Sequence, residues 1–409
     1  MRYVVLGSSA AGVNAVRELR RLEPGADIVL ISRDEAIYSR CILHHYLGGR
    51  RDLERLRFAE KDFAHLYRVD WRKGRACVGL DRAEKTVELD NGERVGYDKL
   101  LIATGSHTFI PPVENLKGAK NVIGFRDLDD IEALKEAAKT AKHIVVMGAG
   151  LVGLDCACGF LELGVKVTLV EMAGWLLSKQ LDERAAKTYQ DAFKREGVAQ
   201  YYDVGIAKAV LDGEGLVTEV VLTDGKTLPC DYVVVTAGVR ANVEFLEGSG
   251  LELSRFGLVY DASGQTSDPD IYGAGDVSGT SPIWPAAVKQ GIIAASNMAG
   301  VERKQTDFFA SKSTMNFLGI PSMSLGDVNG GGPGLTVEVR EDKGAYKKIV
   351  HKNGKIVGAI LQGDLAYGGI LQQLIAHKID VSRVRKPVFD IDYSDFFHMN
   401  DNFEFYYDE

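Results

Sequence analysis

Short apolar runs recur along this chain, and two of them stop at a glycine cluster before a helix-forming stretch begins. Tyr3-Val4-Val5-Leu6 runs into Gly7-Ser8-Ser9-Ala10-Ala11-Gly12, and Ile144-Val145-Val146-Met147 runs into Gly148-Ala149-Gly150-Leu151-Val152-Gly153. Each run is the length of one strand, and each glycine cluster marks a tight turn into a helix. Further strands are predicted at 26–31, 97–103, 166–170 and 233–235, with a short one ahead of Gly273. After residue 306 the texture changes. Asn329-Gly330-Gly331-Gly332 reads as a turn, Leu335-Thr336-Val337-Glu338-Val339 alternates like a half-exposed strand, and the period over 365–379 predicts a helix.

The glycine loops carry a specific chemistry. Glycine lets a dinucleotide pyrophosphate approach the backbone, where N–H groups at the helix start meet its charge. Two such loops about 140 residues apart imply two dinucleotides on one chain, placed for electrons to pass between them. The strand after the second loop ends at Glu171, 18 residues past Gly153. A carboxylate there accepts hydrogen bonds from a ribose diol and repels a 2′-phosphate, which favours NAD over NADP. The first loop has Ser9 in the middle glycine's place, small enough for close approach and able to bond a phosphate oxygen. Its second strand ends at Ser32-Arg33, without the ribose-binding carboxylate; Asp34 and Glu35 are the candidate substitutes.

Two more segments extend the pattern. Tyr97-Asp98-Lys99-Leu100-Leu101-Ile102-Ala103-Thr104-Gly105 ends in a tight Thr-Gly turn, and 266–276 ends in Gly273-Ala274-Gly275-Asp276, whose carboxylate can accept bonds from a ribityl chain. With the two loops, these resemble the two-dinucleotide-domain flavoproteins, the pyridine nucleotide–disulfide oxidoreductases and their relatives. Val233-Val234-Val235-Thr236-Ala237-Gly238-Val239-Arg240 is similar to the strand and turn by which that family's NAD domain rejoins its FAD domain. The resemblance spans about residues 1–300. It implies an α/β fold of two Rossmann-like dinucleotide-binding domains, one for FAD and one for NAD(H), plus a C-terminal α+β interface domain that makes such proteins homodimers. The FAD domain would comprise 1–112 and 242–305, the NAD domain 113–241, and the interface domain 306–409, with Pro111-Pro112 at the first exit. Carried over by position, FAD contacts fall on Gly7 to Gly12, Ser32, Arg33, Arg40, Ala103, Thr104, Gly105, Gly275 and Asp276. NAD contacts fall on Gly148, Gly150, Leu151, Val152, Gly153, Glu171 and Gly238.

Composition narrows the setting. A chain of 409 residues, 45% hydrophobic and 26% charged, is an ordinary globular protein of several domains. It holds no run of 18 apolar residues, five cysteines without a framework spacing, and a formal charge of −8. These point away from membranes, disulfide scaffolds and nucleic acid, and towards a reducing cytoplasm.

The cysteines decide which branch of the family the chain resembles. No pair has the four-residue spacing of the disulfide reductases. Cys156 and Cys158 are two apart on one helix and point to different faces, while Cys77 and Cys230 lie in strand-like segments; packing suffices for all four. Cys41 lies in Tyr38-Ser39-Arg40-Cys41-Ile42-Leu43-His44-His45, a segment similar to the one holding the single redox cysteine of NADH oxidases, NADH peroxidases and coenzyme A–disulfide reductases. Arg40 would lower a thiol pKa there. Ile42 in place of glycine and Ala10 in place of the peroxidase histidine depart from that pattern. The segment equally resembles rubredoxin reductases and nitrite reductase flavoproteins, where proline stands in Cys41's place and the residue only opens a helix.

Residues 40–75 carry a local charge of +5, from ten basic and five acidic side chains, which suits either a solvated helix or an acidic carrier. The last 21 residues hold seven acids, eight Phe or Tyr and no Lys or Arg, as at a dimer seam. The resemblance therefore implies an FAD-dependent NAD(H) oxidoreductase exchanging electrons with a ferredoxin, a rubredoxin or an iron–sulfur subunit. The alternatives are a Cys41-dependent oxidase, peroxidase or coenzyme A–disulfide reductase, and a flavoprotein that signals through its NADH-bound state.

Overall fold

The computed structural model describes residues 1–280, 283–306, 312–342 and 344–407. The expected boundary near 306 borders residues outside that set, and Asp408 and Glu409 of the acidic tail also lie outside it. The chain divides into two compact units: Met1–Pro111, Gly124–Ala137 and Ala237–Ala310 in one, Pro112–Ile123, Ala138–Thr236 and Ser311–Glu409 in the other.

The first unit is built on a five-stranded sheet in the order Ile271–Gly273, Lys99–Ile102, Arg2–Leu6, Asp27–Ser32, Asp70–Lys73. Every neighbouring pair is parallel. Parallel strands are covered on both faces, and so read as continuous apolar runs. Tyr3, Val5, Ile28, Leu30 and Leu101 pack on one face with the helices Ala10–Leu22 and Trp284–Met298. Val4, Leu6, Val29, Ile31, Leu100 and Ile102 pack on the other with an antiparallel meander through Val87, Leu89 and Val95. The two helices approach closely because Gly291 lacks a side chain: a Cβ there would sit 2.2 Å from the Ala11 carbonyl oxygen.

The second unit repeats the plan, with parallel strands in the order Ala199–Tyr201, Lys166–Val170, His143–Met147, Tyr232–Val235, Val122–Ile123. The same unit also holds a five-stranded antiparallel sheet, ordered Ser313–Phe317, Ile320–Gly326, Lys355–Gln362, Ala345–Lys352, Thr336–Asp342. The helix Glu183–Arg195 docks on that sheet: Tyr189 donates to the Ile320 carbonyl at 2.6 Å, and Asp182, its N-cap, accepts from Tyr346 at 2.6 Å and pairs with buried Lys348 at 3.0 Å. Burial pushes the Asp182 carboxyl up, but the bonds from Tyr346, the Ala185 N–H and Lys348 outweigh it and hold the group below the usual carboxylate range.

Two local expectations are trimmed. The helix expected over 365–379 spans Gly368–Ala376, because Asp364 accepts the Ala366 N–H in a turn ahead of it and Lys378 adopts φ +52° behind it. The basic stretch 40–75 is not one solvated helix but the short pieces Arg40–Ile42, Leu43–Leu47, Glu54–Leu56 and Phe63–Leu66, followed by the strand Asp70–Lys73. Buried Leu43, Leu47, Leu56 and Phe63 pin the successive turns.

Candidate cofactor sites

Both glycine loops leave the carboxyl end of a central strand, at the point where the sheet order reverses, which is where open α/β sheets bind ligands. In the first loop Gly7 has φ +109°, and a Cβ on it would lie 2.2 Å from the Ala103 carbonyl oxygen. A Cβ on Gly12 would lie 1.8 Å from the Gly7 oxygen, so neither position admits another residue. The second loop repeats this geometry, with Gly148 at φ +111° and a Gly153 Cβ 2.1 Å from the Gly148 oxygen. Gly150, between them, faces open space.

Among the described residues, no side chain closes either helix start. Ser9 and Gly150 are the N-caps, in extended conformation and with no side-chain cap, so the first-turn N–H groups and the positive end of each helix dipole face outward. The Ser8 hydroxyl is buried and has no hydrogen-bond partner among the described residues. An orphaned buried hydroxyl beside an uncapped helix start fits a pyrophosphate.

Glu171 ends the strand Lys166–Val170, and its two carboxylate oxygens accept the Ala149 N–H at 2.7 Å and the Ala173 N–H at 2.9 Å. It therefore braces the second loop, and its remaining lone pairs stay available to a ribose. The equivalent position in the first unit is Ser32. Its hydroxyl donates to the Asp34 carbonyl at 2.6 Å and accepts from Trp71 Nε1 at 2.8 Å. Of the candidate substitutes, Asp34 is held by Arg40 at 2.6 Å and Tyr38 at 3.2 Å, while Glu35 is exposed. Arg33 is exposed and pairs with Asp127 at 2.6 Å.

Thr104 and Asn242 exchange hydrogen bonds, hydroxyl to carbonyl at 2.9 Å and amide to carbonyl at 2.8 Å, which locks the Thr-Gly turn. Gly105 at φ +70° and Gly238 at φ +120° both face open space. Asp276 follows Gly275 at φ +80°, accepts from Ser106 at 3.3 Å and is paired with Arg126. Arg126 also donates to the Ser106 hydroxyl at 2.8 Å, and its carbonyl accepts from Arg40 at 2.8 Å. Arg126 is not among the residues the sequence motifs single out; its one local signal is its place just before the helix Leu128–Ala138.

All five cysteines lie among the described residues, and no disulfide joins them. Burial pushes the Cys77 and Cys230 thiols up to about 12, so neither forms a thiolate readily. Cys156 is buried, and burial raises its pKa as well. Cys41 is exposed, in the single turn Arg40–Ile42. Burial, then the neighbouring His45, Arg50 and Arg51, lowers His44 to about 4, so its imidazole is neutral at pH 7. Asp155, on the helix leaving the second loop, is pushed up to about 8 by burial.

The model describing the pyridine nucleotide-disulphide oxidoreductases matches residues 1–291, well over half of the chain. The chain belongs to that family. A second model, for the C-terminal domain of rubredoxin NAD+ reductase, matches residues 312–379 of this oxidoreductase. It is 29% identical over 392 residues to a nitrite reductase [NAD(P)H] of Bacillus subtilis, covering 94% of this chain and 48% of that one, so it spans about half the length of that relative. It is 31% identical to the NADH-dependent phenylglyoxylate dehydrogenase subunit epsilon of Aromatoleum evansii, over 94% and 93% of the two chains. Among solved structures, the ferredoxin reductase for the CYP199A2 system of Rhodopseudomonas palustris superposes with a TM-score of 0.84 at 25% identity, over 95% and 98% of the two chains. The NADH:rubredoxin oxidoreductase of Clostridium acetobutylicum shares the fold, with a TM-score of 0.76 at 23% identity over 94% and 97%.

As a member of that family, the oxidoreductase is a flavoprotein enzyme whose cofactors are FAD and NAD(H). Among the described residues, no helix is long and apolar enough to cross a membrane.

Proposed function

We propose that this flavoprotein passes electrons between NAD(H) and a one-electron protein carrier of the ferredoxin or rubredoxin type, or an iron–sulfur subunit. The observation that carries the reading is the pairing of a complete two-cradle core with a C-terminal segment matched by the rubredoxin reductase model. Likeness to a ferredoxin reductase along nearly the whole of both chains supports it. We assign the first cradle and the Gly275-Asp276 turn to FAD in residues 1–112 and 242–305, the second cradle to NAD(H) in 113–241, and residues 306–409 to a dimer interface. Exposed Met399, Phe403 and Tyr406 on the C-terminal hairpin support that last assignment.

Bound FAD supplies the chemistry that splits the electron pair of NADH into single electrons, so one NADH serves two carriers. The protein's part is placement. The uncapped starts of the helices Ala10–Leu22 and Leu151–Glu162 receive the pyrophosphates, Asp276 orients the ribityl chain, and Glu171 selects the ribose without a 2′-phosphate. Exposed Arg51, Arg55, Lys61, Arg68, Lys73 and Arg75 make the 40–75 segment a steering surface for an acidic carrier.

The test is steady-state reduction of a ferredoxin or rubredoxin by NADH across a salt series. Turnover should fall steeply towards an ionic strength of about 0.15 M, where the screening length is about 8 Å. Reversing Arg51 and Arg55 to Glu should reproduce the loss at low salt. Indifference to both perturbations would remove the carrier reading. A second reading rests on the exposure of Cys41 beside Arg40: a thiol-dependent oxidase, peroxidase or coenzyme A–disulfide reductase.

A further inference from the structure

The turn that presents Asp276 is held from outside by side chains with no assigned part in cofactor binding. The Gly275 N–H donates to Gln290 Oε1 at 2.8 Å, and the Gly275 carbonyl accepts from the Tyr260 hydroxyl at 3.1 Å. The same hydroxyl lies 3.3 Å from Gln290 Oε1, so tyrosine, glutamine and peptide close a ring of polar contacts. Gln290 is held in turn, its amide nitrogen 3.4 Å from Gln305 Oε1. The Tyr260 ring fills the space beside Gly273, where a Cβ would lie 2.3 Å from its edge. Burial pushes the Tyr260 phenol up to about 12, so it remains a donor throughout the physiological range.

The next residue along the helix, Gly291, is the one whose missing side chain admits the Ala11 carbonyl. Two consecutive residues of Trp284–Met298 therefore face the two parts of one cradle. Gly291 abuts the helix of the glycine loop, and Gln290 grips the turn before Asp276. Gly275 sits at φ +80°, which glycine adopts readily, and in that conformation its N–H points at Gln290 Oε1.

We propose that Gln290 is a positioning residue for the flavin, fixing the distance between the first glycine loop and the Asp276 carboxylate without touching the cofactor itself, with Tyr260 as its partner. The inference rests on FAD occupying this cradle and is independent of which protein takes the electrons.

The experiment uses the full chain stripped of FAD, with Gln290→Leu, Gln290→Glu and Tyr260→Phe. Fluorescence titration gives the FAD dissociation constant, visible circular dichroism reports the bound flavin's environment, and thermal unfolding of each apoprotein reports the fold. Gln290→Leu removes the acceptor and leaves the Gly275 N–H unpaired, so FAD binding should weaken by about tenfold or more, with an altered flavin spectrum. Gln290→Glu keeps an acceptor oxygen and should recover most of that loss. Tyr260→Phe keeps the ring and should weaken binding by about threefold to tenfold. Should Gln290→Leu fail to fold, the Tyr260→Phe and Gln290→Glu pair decides. The proposal is overturned if the folded variants bind FAD within about twofold of the parent with an unchanged spectrum, whatever their melting temperatures.

Discussion

In our reading Glu171 does two jobs at once, and comparing NADH with NADPH in its variants tells them apart. Its carboxylate accepts the Ala149 N–H at 2.7 Å and the Ala173 N–H at 2.9 Å, and in our reading it also accepts from the nicotinamide dinucleotide's ribose. Hydrogen bonds to a charged acceptor are worth about 1.5–3 kcal/mol each, and part of the two backbone bonds would be regained by water. Glu171→Ala should therefore lower kcat/KM for NADH by about 10- to 100-fold, the equivalent of about 1.4–2.7 kcal/mol. Activity with NADPH should change less, because loss of the brace is offset by loss of the repulsion against the 2′-phosphate. The selectivity ratio should thus narrow, while NADPH stays well below the parent's rate with NADH. Glu171→Gln keeps one carbonyl acceptor and gains a donor, so it should lie between the two. Initial rates with a one-electron dye as acceptor give both specificity constants. An unchanged NADH constant in Glu171→Ala, or a parent that uses NADPH equally well, would refute the reasoning.

Cys41→Ser should leave carrier or dye reduction within about twofold if the residue only opens its helical turn; abolished turnover with peroxide, oxygen or disulfide, with flavin reduction intact, would put the thiol reading in its place. Asp182→Ala should destabilise the second unit by about 3–5 kcal/mol, since Lys348 would be left buried without its carboxylate, and Lys348→Met by only about 1 kcal/mol. Urea unfolding of the double variant should recover most of the larger loss; strict additivity would argue against the pair. Burial raises Asp155 to about 8, above its unfolded value, so the native state binds the extra proton and stability falls as pH rises between about 4 and about 8. Asp155→Asn should flatten that slope, which is at most about 1.4 kcal/mol per pH unit, and thermal melts at pH 5 to 9 would show it.

The parts of this molecule that were legible in the sequence are those where local sterics dictate the residue. Gly7, Gly12, Gly148 and Gly153 each sit where a Cβ would meet a carbonyl oxygen within 3.0 Å. A strand covered on both faces must be apolar throughout, so 3–6 and 144–147 declare themselves. What stayed hidden depends on partners far along the chain. Arg126 reaches Asp276 across 150 residues, and no spacing announces such a pair. At Ser32, carried over as an FAD contact, no spacing announces that the strand Asp70–Lys73 brings Trp71 onto the hydroxyl. The net-positive run 40–75 shows no break in its charge pattern, yet four buried apolar side chains cut it into separate turns.

The sheet order of the first unit has a consequence for synthesis on the ribosome. Lys99–Ile102 lies between Arg2–Leu6 and Ile271–Gly273, so one of its edges has no partner until the last strand emerges. About 170 residues separate the two, and at about 5–20 residues per second the nascent chain carries that open edge for roughly 10–30 seconds. An apolar strand with unpaired backbone groups is a template for pairing with other chains. Helix Trp284–Met298, which must close over Ala11, arrives later still. Chaperone dependence, truncation products and aggregation during fast expression should therefore trace to this late closure, while the parallel sheet of the second unit, all of whose strands lie within 122–235, has every partner in hand well before.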